Sequence, residues 1–133
     1  MTRILVADDD QDVRAALRAA LEVEGYEVEA VPNGERAMKA HEERPADVLI
    51  TDLYMPEVDG FETVKYFRAR NPGMLIVVIS GWQRAQRADH LAVALHAGAD
   101  AVLRKPFTPG ELLDKLELLD KLRDCVLEQR AAG

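Results

Sequence analysis

Four places in the chain bring together residue types that could do chemistry. Asp8-Asp9 follows the apolar run Ile4-Leu5-Val6-Ala7, and Asp52 follows Val48-Leu49-Ile50-Thr51. Ser80 closes the run 74–79, and Lys105 lies in Arg104-Lys105-Pro106 after a fourth run. Three carboxylates crowded together repel one another and are hard to keep ionised. A hard divalent cation relieves this, and oxygen ligands with several retained waters suit Mg2+. Beside such a cation one carboxylate can attack phosphorus, while an ammonium and a hydroxyl hold the oxygens of the transferred group. Each piece alone has a plainer reading. Asp8-Asp9-Asp10 before a helix can cap and solvate it, and Asp52 can be a turn residue. Ser80 can be a small hydrogen-bonded residue, and Lys105-Pro106 a helix entry. Their joint occurrence at four run ends favours chemistry, provided that the fold gathers those ends.

The elements between them supply such a fold. Short apolar runs alternate with helical periods along the whole chain. Val13, Leu17, Ala20 and Leu21 mark one face of a first helix, capped by Asp10 and ended by Gly25. Residues 26–31 read as a strand with Tyr26, Val28 and Ala30 on one face. Asn33 caps a second helix to about Arg44, and Pro45 stops it. A strand ends at Asp52, and a loop with Pro56 and Gly60 leads into a third helix over 61–70. Asn71-Pro72-Gly73 is a turn signal before the β-branched strand 74–80. A fourth helix runs from about Arg84 to Ala97, with Gly98 after it, and the last strand covers 100–104. Thr108, Pro109 and Glu111 open the last helix as cap, first helical residue and capping-box partner. The order is βα five times, which implies a parallel sheet covered on both faces. In such a sheet, sites form at the carboxyl ends of the strands, where all four groups fall.

Composition bounds the rest. The chain has 133 residues, the size of one domain, with 48% hydrophobic and 31% charged residues. Seventeen basic against 24 acidic residues give a net charge of −7, which argues against direct nucleic-acid binding or an anionic membrane surface. The longest uncharged apolar run, 74–79, is far too short to span a bilayer. No signal peptide is expected, because acidic residues precede any long apolar stretch. The single cysteine, Cys125, cannot form an intrachain disulfide, which suits a reducing, cytoplasmic location.

With these residues in order, the chain resembles the receiver domains of two-component response regulators, the chemotaxis regulator among them. The resemblance covers about residues 2–122. It rests on Asp8-Asp9 after the first strand, Asp52, Met55-Pro56-Glu57-Val58-Asp59-Gly60, Ser80, Gly98-Ala99-Asp100 and Lys105-Pro106-Phe107. It implies a flavodoxin-like doubly wound sheet in the order 2-1-3-4-5, with residues 123–133 as an extension of the last helix. It implies Asp52 as phosphoacceptor, Mg2+ held directly by Asp9, Asp52 and the Tyr54 backbone carbonyl, and Asp8 acting through water. Ser80 would hydrogen-bond the phosphoryl group, Lys105 would pair with it, and the Lys105–Pro106 peptide would be cis. The donor would be a histidine kinase or a histidine phosphotransfer protein. The chain would be a phosphorylation-dependent switch rather than an enzyme, catalysing only its own phosphorylation and dephosphorylation, with its output on the face of helix 4, strand 5 and helix 5.

Three features depart from the family pattern. Val102 stands where a tyrosine or phenylalanine normally swings inward on activation. The stretch from Ser80 to Gly98 is longer than usual and carries Trp82, Gln83, Arg84, Gln86 and Arg87. Trp82 and Tyr54, each two residues beyond a site residue, put bulky aromatics beside the expected route of attacking water. Trp82 is also expected to report on the site by its emission.

Other readings fare worse. An aspartyl-phosphate phosphatase or phosphotransferase would need an acid at Tyr54. A flavodoxin-like FMN binder would need a Ser/Thr/Gly-rich loop where Asp8-Asp9-Asp10 stands. A pseudo-receiver acting only as an interaction module would not need the intact Asp52 and Lys105. His41, His90 and His96 read as solvated surface residues, and Cys125 as a packing residue. Arg68, Arg70, Arg84 and Arg87 are too few for a nucleic-acid stripe.

The last helix looks too long for the domain. From Pro109 to about Arg130 it would run about 33 Å at 1.5 Å per residue, against strands of about 17–23 Å. Leu112, Leu116, Leu119 and Val126 share the face assigned to the sheet. Leu118, Leu122 and Cys125 form a second apolar stripe, expected to pair with a second copy of the chain as a two-fold dimer. Fraying, or a stub leading to a missing output domain, is the alternative.

Overall fold

In a computed structural model, the described residues are 2–53, 60–80 and 88–122. Five strands alternate with five helices: β1 (Arg3–Ala7), α1 (Gln11–Val23), β2 (Glu27–Val31), α2 (Gly34–Glu43), β3 (Val48–Asp52), α3 (Gly60–Arg70), β4 (Leu75–Ser80), α4 (Ala88–Ala97), β5 (Ala101–Arg104) and α5 (Pro109–Lys121). The strands are all parallel, in the order β2-β1-β3-β4-β5. The sheet is doubly wound in the expected order.

Alternation along the buried strands divides the core in two. Leu5, Ala7, Leu49, Ile76 and Val78 face the side that also buries Ala37 and Ala40 of α2, Phe67 of α3 and Ala94 of α4. Ile4, Val6, Ile50, Val77 and Ile79 face Leu17 and Leu21 of α1 and Leu112, Leu116 and Leu119 of α5. Phe67 is fully buried, so truncating it to alanine would cost about 3–5 kcal/mol.

Helix ends follow the sequence signals. Asp10 caps α1, Asn33 caps α2, and Thr108 caps α5 with Glu111 as its partner. Gly25 takes a φ of 94° just after α1. Tyr26 falls just outside β2, because its N–H turns back to the Leu21 carbonyl at 3.2 Å. It still packs against the α1 and α5 side with Val28 and Ala30, as the alternation predicts.

The reading of His41 as a solvated surface residue is corrected. Its Nδ1 accepts from the Ala46 N–H at 3.0 Å, its Nε2 meets Asn71 Oδ1 at 3.2 Å, and its ring stands edge-on to Phe67. It ties the end of α2 to the turn after α3. His96 is exposed, as expected.

The described part of α5 ends at Lys121, and the rest of the expected long helix, with Cys125 and Val126, lies outside the described residues. Leu118 and Leu122 are 54% and 45% exposed, whereas Leu112, Leu116 and Leu119 are buried against the sheet, as the two stripes require. No helix among the described residues is long and apolar enough to cross a membrane.

Candidate functional site

The parallel register sets the site before any side chain is considered. Ala7 pairs with Thr51, Asp52 with Ile79, and Ser80 with Arg104. Asp8, Asp52, Ser80 and Lys105 therefore share the carboxyl edge, where an open parallel sheet places its crevice.

Asp8 is fully buried and anchored through all four of its polar groups. Its N–H donates to the Val31 carbonyl at 3.1 Å, and its own carbonyl accepts from Arg14 Nη1 at 2.7 Å. Oδ1 accepts from the Asp10 N–H and Oδ2 from Lys105 Nζ, each at 2.9 Å. The same ammonium reaches Asp52 Oδ2 at 3.2 Å. Lys105 is held in turn by its N–H, which donates to the Ser80 carbonyl at 2.7 Å, and the Lys105–Pro106 peptide is cis. Ser80 is 1% exposed, and its Oγ has no hydrogen-bond partner among the described residues. A buried hydroxyl in that state is a donor that an incoming acceptor can satisfy.

The electrostatics are unfinished in the same sense. Burial pushes the Asp52 carboxyl above its ordinary range, against the charge and hydrogen bond of Lys105. Burial also raises Asp8, against the Asp10 N–H and Lys105. Burial depresses Lys105, but its bond to Asp8 and the charges of Asp52 and Asp8 outweigh this and hold it above its usual value. One carboxylate oxygen from each of Asp8, Asp9 and Asp52 lies within 4.8 Å of the other two. Among the described residues one ammonium contacts two of these three carboxylates, all hard oxygen donors, and this donor set fits a divalent cation such as Mg2+.

Gly60 guards the same edge. Its N–H donates to the Leu53 carbonyl at 2.9 Å. A Cβ there would meet the Asp52 carbonyl oxygen at 2.3 Å, so only glycine lets α3 start this close to the β3 end. Beside Lys105, an apolar groove of about 310 Å3 opens between α1 and the β5–α5 connection, lined by Val13, Ala16, Ala20, Pro106 and Phe107 among others.

Residues 4–117 match the family model of the response regulator receiver domain. The chain belongs to the receiver domains of two-component response regulators. It is 38% identical over 122 residues to the response regulator receiver protein CpdR of Brucella abortus, with 88% of this chain and 95% of that protein covered. It is 38% identical to the response regulator MprA of Mycobacterium ulcerans, with 98% of this chain and 54% of that protein covered. The chain thus spans nearly all of CpdR but about half of MprA, and likewise 51% of the transcriptional regulatory protein PrrA of Mycobacterium bovis. Among solved structures, a CheY-like receiver domain protein from Methanospirillum hungatei superposes with a TM-score of 0.81 at 28% identity, covering 100% of this chain and 99% of that one. The response regulator TrrA of Thermotoga maritima, crystallised with Mg(2+)-BeF, gives 0.78 at 33% identity, covering 90% and 99%.

Receiver domains are phosphorylation-dependent signalling switches, not enzymes turning over metabolites. In this one, the sheet edge collects Asp8, Asp9, Asp52, Ser80 and Lys105 as the sequence spacing requires. Tyr54 and Trp82 lie outside the described residues, as do residues 55–59 and 81–87. Val102, at the position of the usual aromatic, is half-buried and packs against the core on the α3 and α4 side. Two roles are not legible in the sequence. Gly60 reads as a loop and motif residue with no sign of its close approach to Asp52. Arg14 reads as an ordinary helical arginine, although it stands six residues after Asp8, within reach of the β1–α1 loop.

Proposed function

We propose that Asp52 is the phosphoacceptor, taking a phosphoryl group from a phosphohistidine of a kinase or phosphotransfer protein in a Mg2+-dependent reaction. A carboxylate oxygen of Asp52 forms the bond to phosphorus, and the P–N bond to the donor imidazole breaks, its electron pair staying on nitrogen. Water later cleaves the acyl phosphate slowly, returning Asp52 and inorganic phosphate. The observation that carries this reading is the juxtaposition of a buried Asp52, a shared Lys105 and a buried Ser80 hydroxyl. Lys105 would follow the transferred charge, and the Ser80 hydroxyl would donate to a phosphoryl oxygen.

When bound, Mg2+ would supply charge neutralisation across the attacking carboxylate and the phosphoryl oxygens. Asp9 and Asp52 would hold it directly, with the Tyr54 backbone carbonyl. Asp8 would act through water, since both its oxygens already accept hydrogen bonds. The groove beside α1 suits the donor: it borders Lys105, and its small residues Ala16 and Ala20 admit a close helix. Residues 1–122 form the receiver unit in this reading, and residues 123–133, expected to extend the last helix, lie outside the described residues. The exposed Leu118 and Leu122 stripe is the self-contact of a two-fold dimer.

Incubation with a small acyl-phosphate donor should add one phosphoryl group by intact mass, only with Mg2+ and only with Asp52 present. A gain that persists in Asp52→Asn refutes the assignment. Light scattering should give a dimer that Leu118→Glu with Leu122→Glu dissociates. A wild type that is monomeric with and without beryllofluoride removes the dimer and leaves the phosphoacceptor reading intact.

A further inference from the structure

Asp8 and Asp9 are neighbours in sequence but are held in opposite ways. Asp8 is buried with both carboxylate oxygens hydrogen-bonded. Asp9 is exposed, and no hydrogen bond to its carboxylate occurs among the described residues. Its carboxylate nevertheless lies with those of Asp8 and Asp52, within the 4.8 Å cluster. That placement must come from the backbone. The orientation of a peptide plane sets where the next Cα, and so the next side chain, points. The plane that governs Asp9 is the Asp8–Asp9 peptide. Arg14 Nη1 donates to its carbonyl oxygen at 2.7 Å, reaching back from the first turns of α1. The Asp10 N–H on Asp8 Oδ1 pins the following stretch.

We propose that Arg14 is a positioning residue for the cation site, locking the Asp8–Asp9 peptide and thereby presenting the Asp9 carboxylate toward Asp52. This rests on the reading of the acidic cluster as the Mg2+ site. The guanidinium has a second, opposing influence, because a fixed positive charge near the cluster competes with a cation. The two influences predict opposite signs, so removing Arg14 decides between them. Arg14 is half-exposed on a helix, and methionine keeps helix propensity and the apolar stem while deleting both donor and charge.

The test is calorimetric titration of the full chain with Mg2+ alone, for wild type, Arg14→Met, Arg14→Leu and Arg14→Lys. Outer-shell partners of metal ligands commonly govern affinity by about 10–100-fold. Arg14→Met should therefore bind Mg2+ about 10-fold more weakly. It should regain the wild-type rate of phosphorylation from the acyl-phosphate donor once Mg2+ saturates. Arg14→Lys, which can still donate to the carbonyl, should recover much of the affinity. Arg14→Leu, which also deletes both donor and charge, carries the same expectation as Arg14→Met if the latter does not fold, as judged by circular dichroism. A role confined to the fold would lower the melting temperature and leave Mg2+ affinity unchanged. Equal or tighter Mg2+ binding in Arg14→Met overturns the proposal while wild-type binding still stands. A wild type that binds no Mg2+ overturns the site reading itself.

Discussion

At the amino edge of the sheet, Arg68 is a nearly buried cation with every direction of its guanidinium used. Nε donates to the Gly98 carbonyl at 2.8 Å, and Nη1 to the carbonyls of Asn71, Pro72 and Met74. Nη2 meets Asp100 Oδ2 at 2.7 Å, an oxygen that also accepts from the Ile76 N–H at 2.8 Å. Gly98 has a φ of 126°, and a Cβ there would come within 2.6 Å of the Arg68 side chain, so the clamp shapes its own surroundings. At the carboxyl edge, Lys105 is the cation, and it is shared between Asp8 and Asp52 with Asp9 close by. The Arg68–Asp100 pair balances charge one to one and fills its hydrogen bonds. The carboxyl-edge cluster leaves, among the described residues, an excess of negative charge, two carboxyls raised by burial and a buried hydroxyl. A buried pair that is complete resists change, whereas an incomplete one responds to a cation or an anion that completes it. The same sheet thus carries a fixed edge and a responsive one.

The largest effect that sharpens this contrast is expected at the fixed edge. Arg68→Met removes the ion-pair partner of Asp100 and the donor to several carbonyls, and breaking a buried pair in this way costs about 3–5 kcal/mol. Urea unfolding measures it, and a loss below about 1 kcal/mol, the scale of an exposed pair, would erase the distinction.

A smaller effect of opposite sign is expected at Asp52. Its folded pKa lies above the ordinary 3.8. The folded chain therefore keeps a proton that the unfolded chain has already released, so stability falls as pH rises through that window. Asp52→Asn removes this titration. Without metal, its melting temperature at neutral pH should exceed that of the wild type by a few degrees. The gain should vanish as pH falls below 3.8, where both wild-type states hold the proton. A gain that ignores pH, or a loss at neutral pH, breaks the comparison.

The smallest effect on stability is expected at Ser80. Its Oγ makes no bond among the described residues, so Ser80→Ala should stay within about 1 kcal/mol of wild type. Phosphoryl uptake should still slow on the order of 100-fold, the scale of losing one donor to developing charge. Equal loss of stability and of uptake would mean that Ser80 serves the fold.

Much of this architecture was legible because local rules and global fold agree. Alternating apolar runs and helical periods imply a parallel α/β sheet, and Asp10, Asn33 and Thr108 mark helix starts by capping chemistry alone. The strand-end rule then brings Asp8, Asp52, Ser80 and Lys105 to one edge without any coordinates. The strand order came through family resemblance, since periodicity carries no information about which strands are neighbours.

Contacts between residues distant in sequence were decided only by tertiary structure. His41 reads as a surface histidine until the fold sets Ala46 on one ring nitrogen and Asn71 beside the other. Arg68 reads as one of a few scattered arginines until α3, β4 and the turn before β5 converge on it. Arg14 is an ordinary helical residue until α1 swings its guanidinium back over the Asp8 carbonyl. Sequence alone determined the elements, their caps and the chemistry available at the strand ends, because these depend on neighbours along the chain. Which polar groups are completed and which are left open depends on neighbours through space, and only the packed sheet decided that.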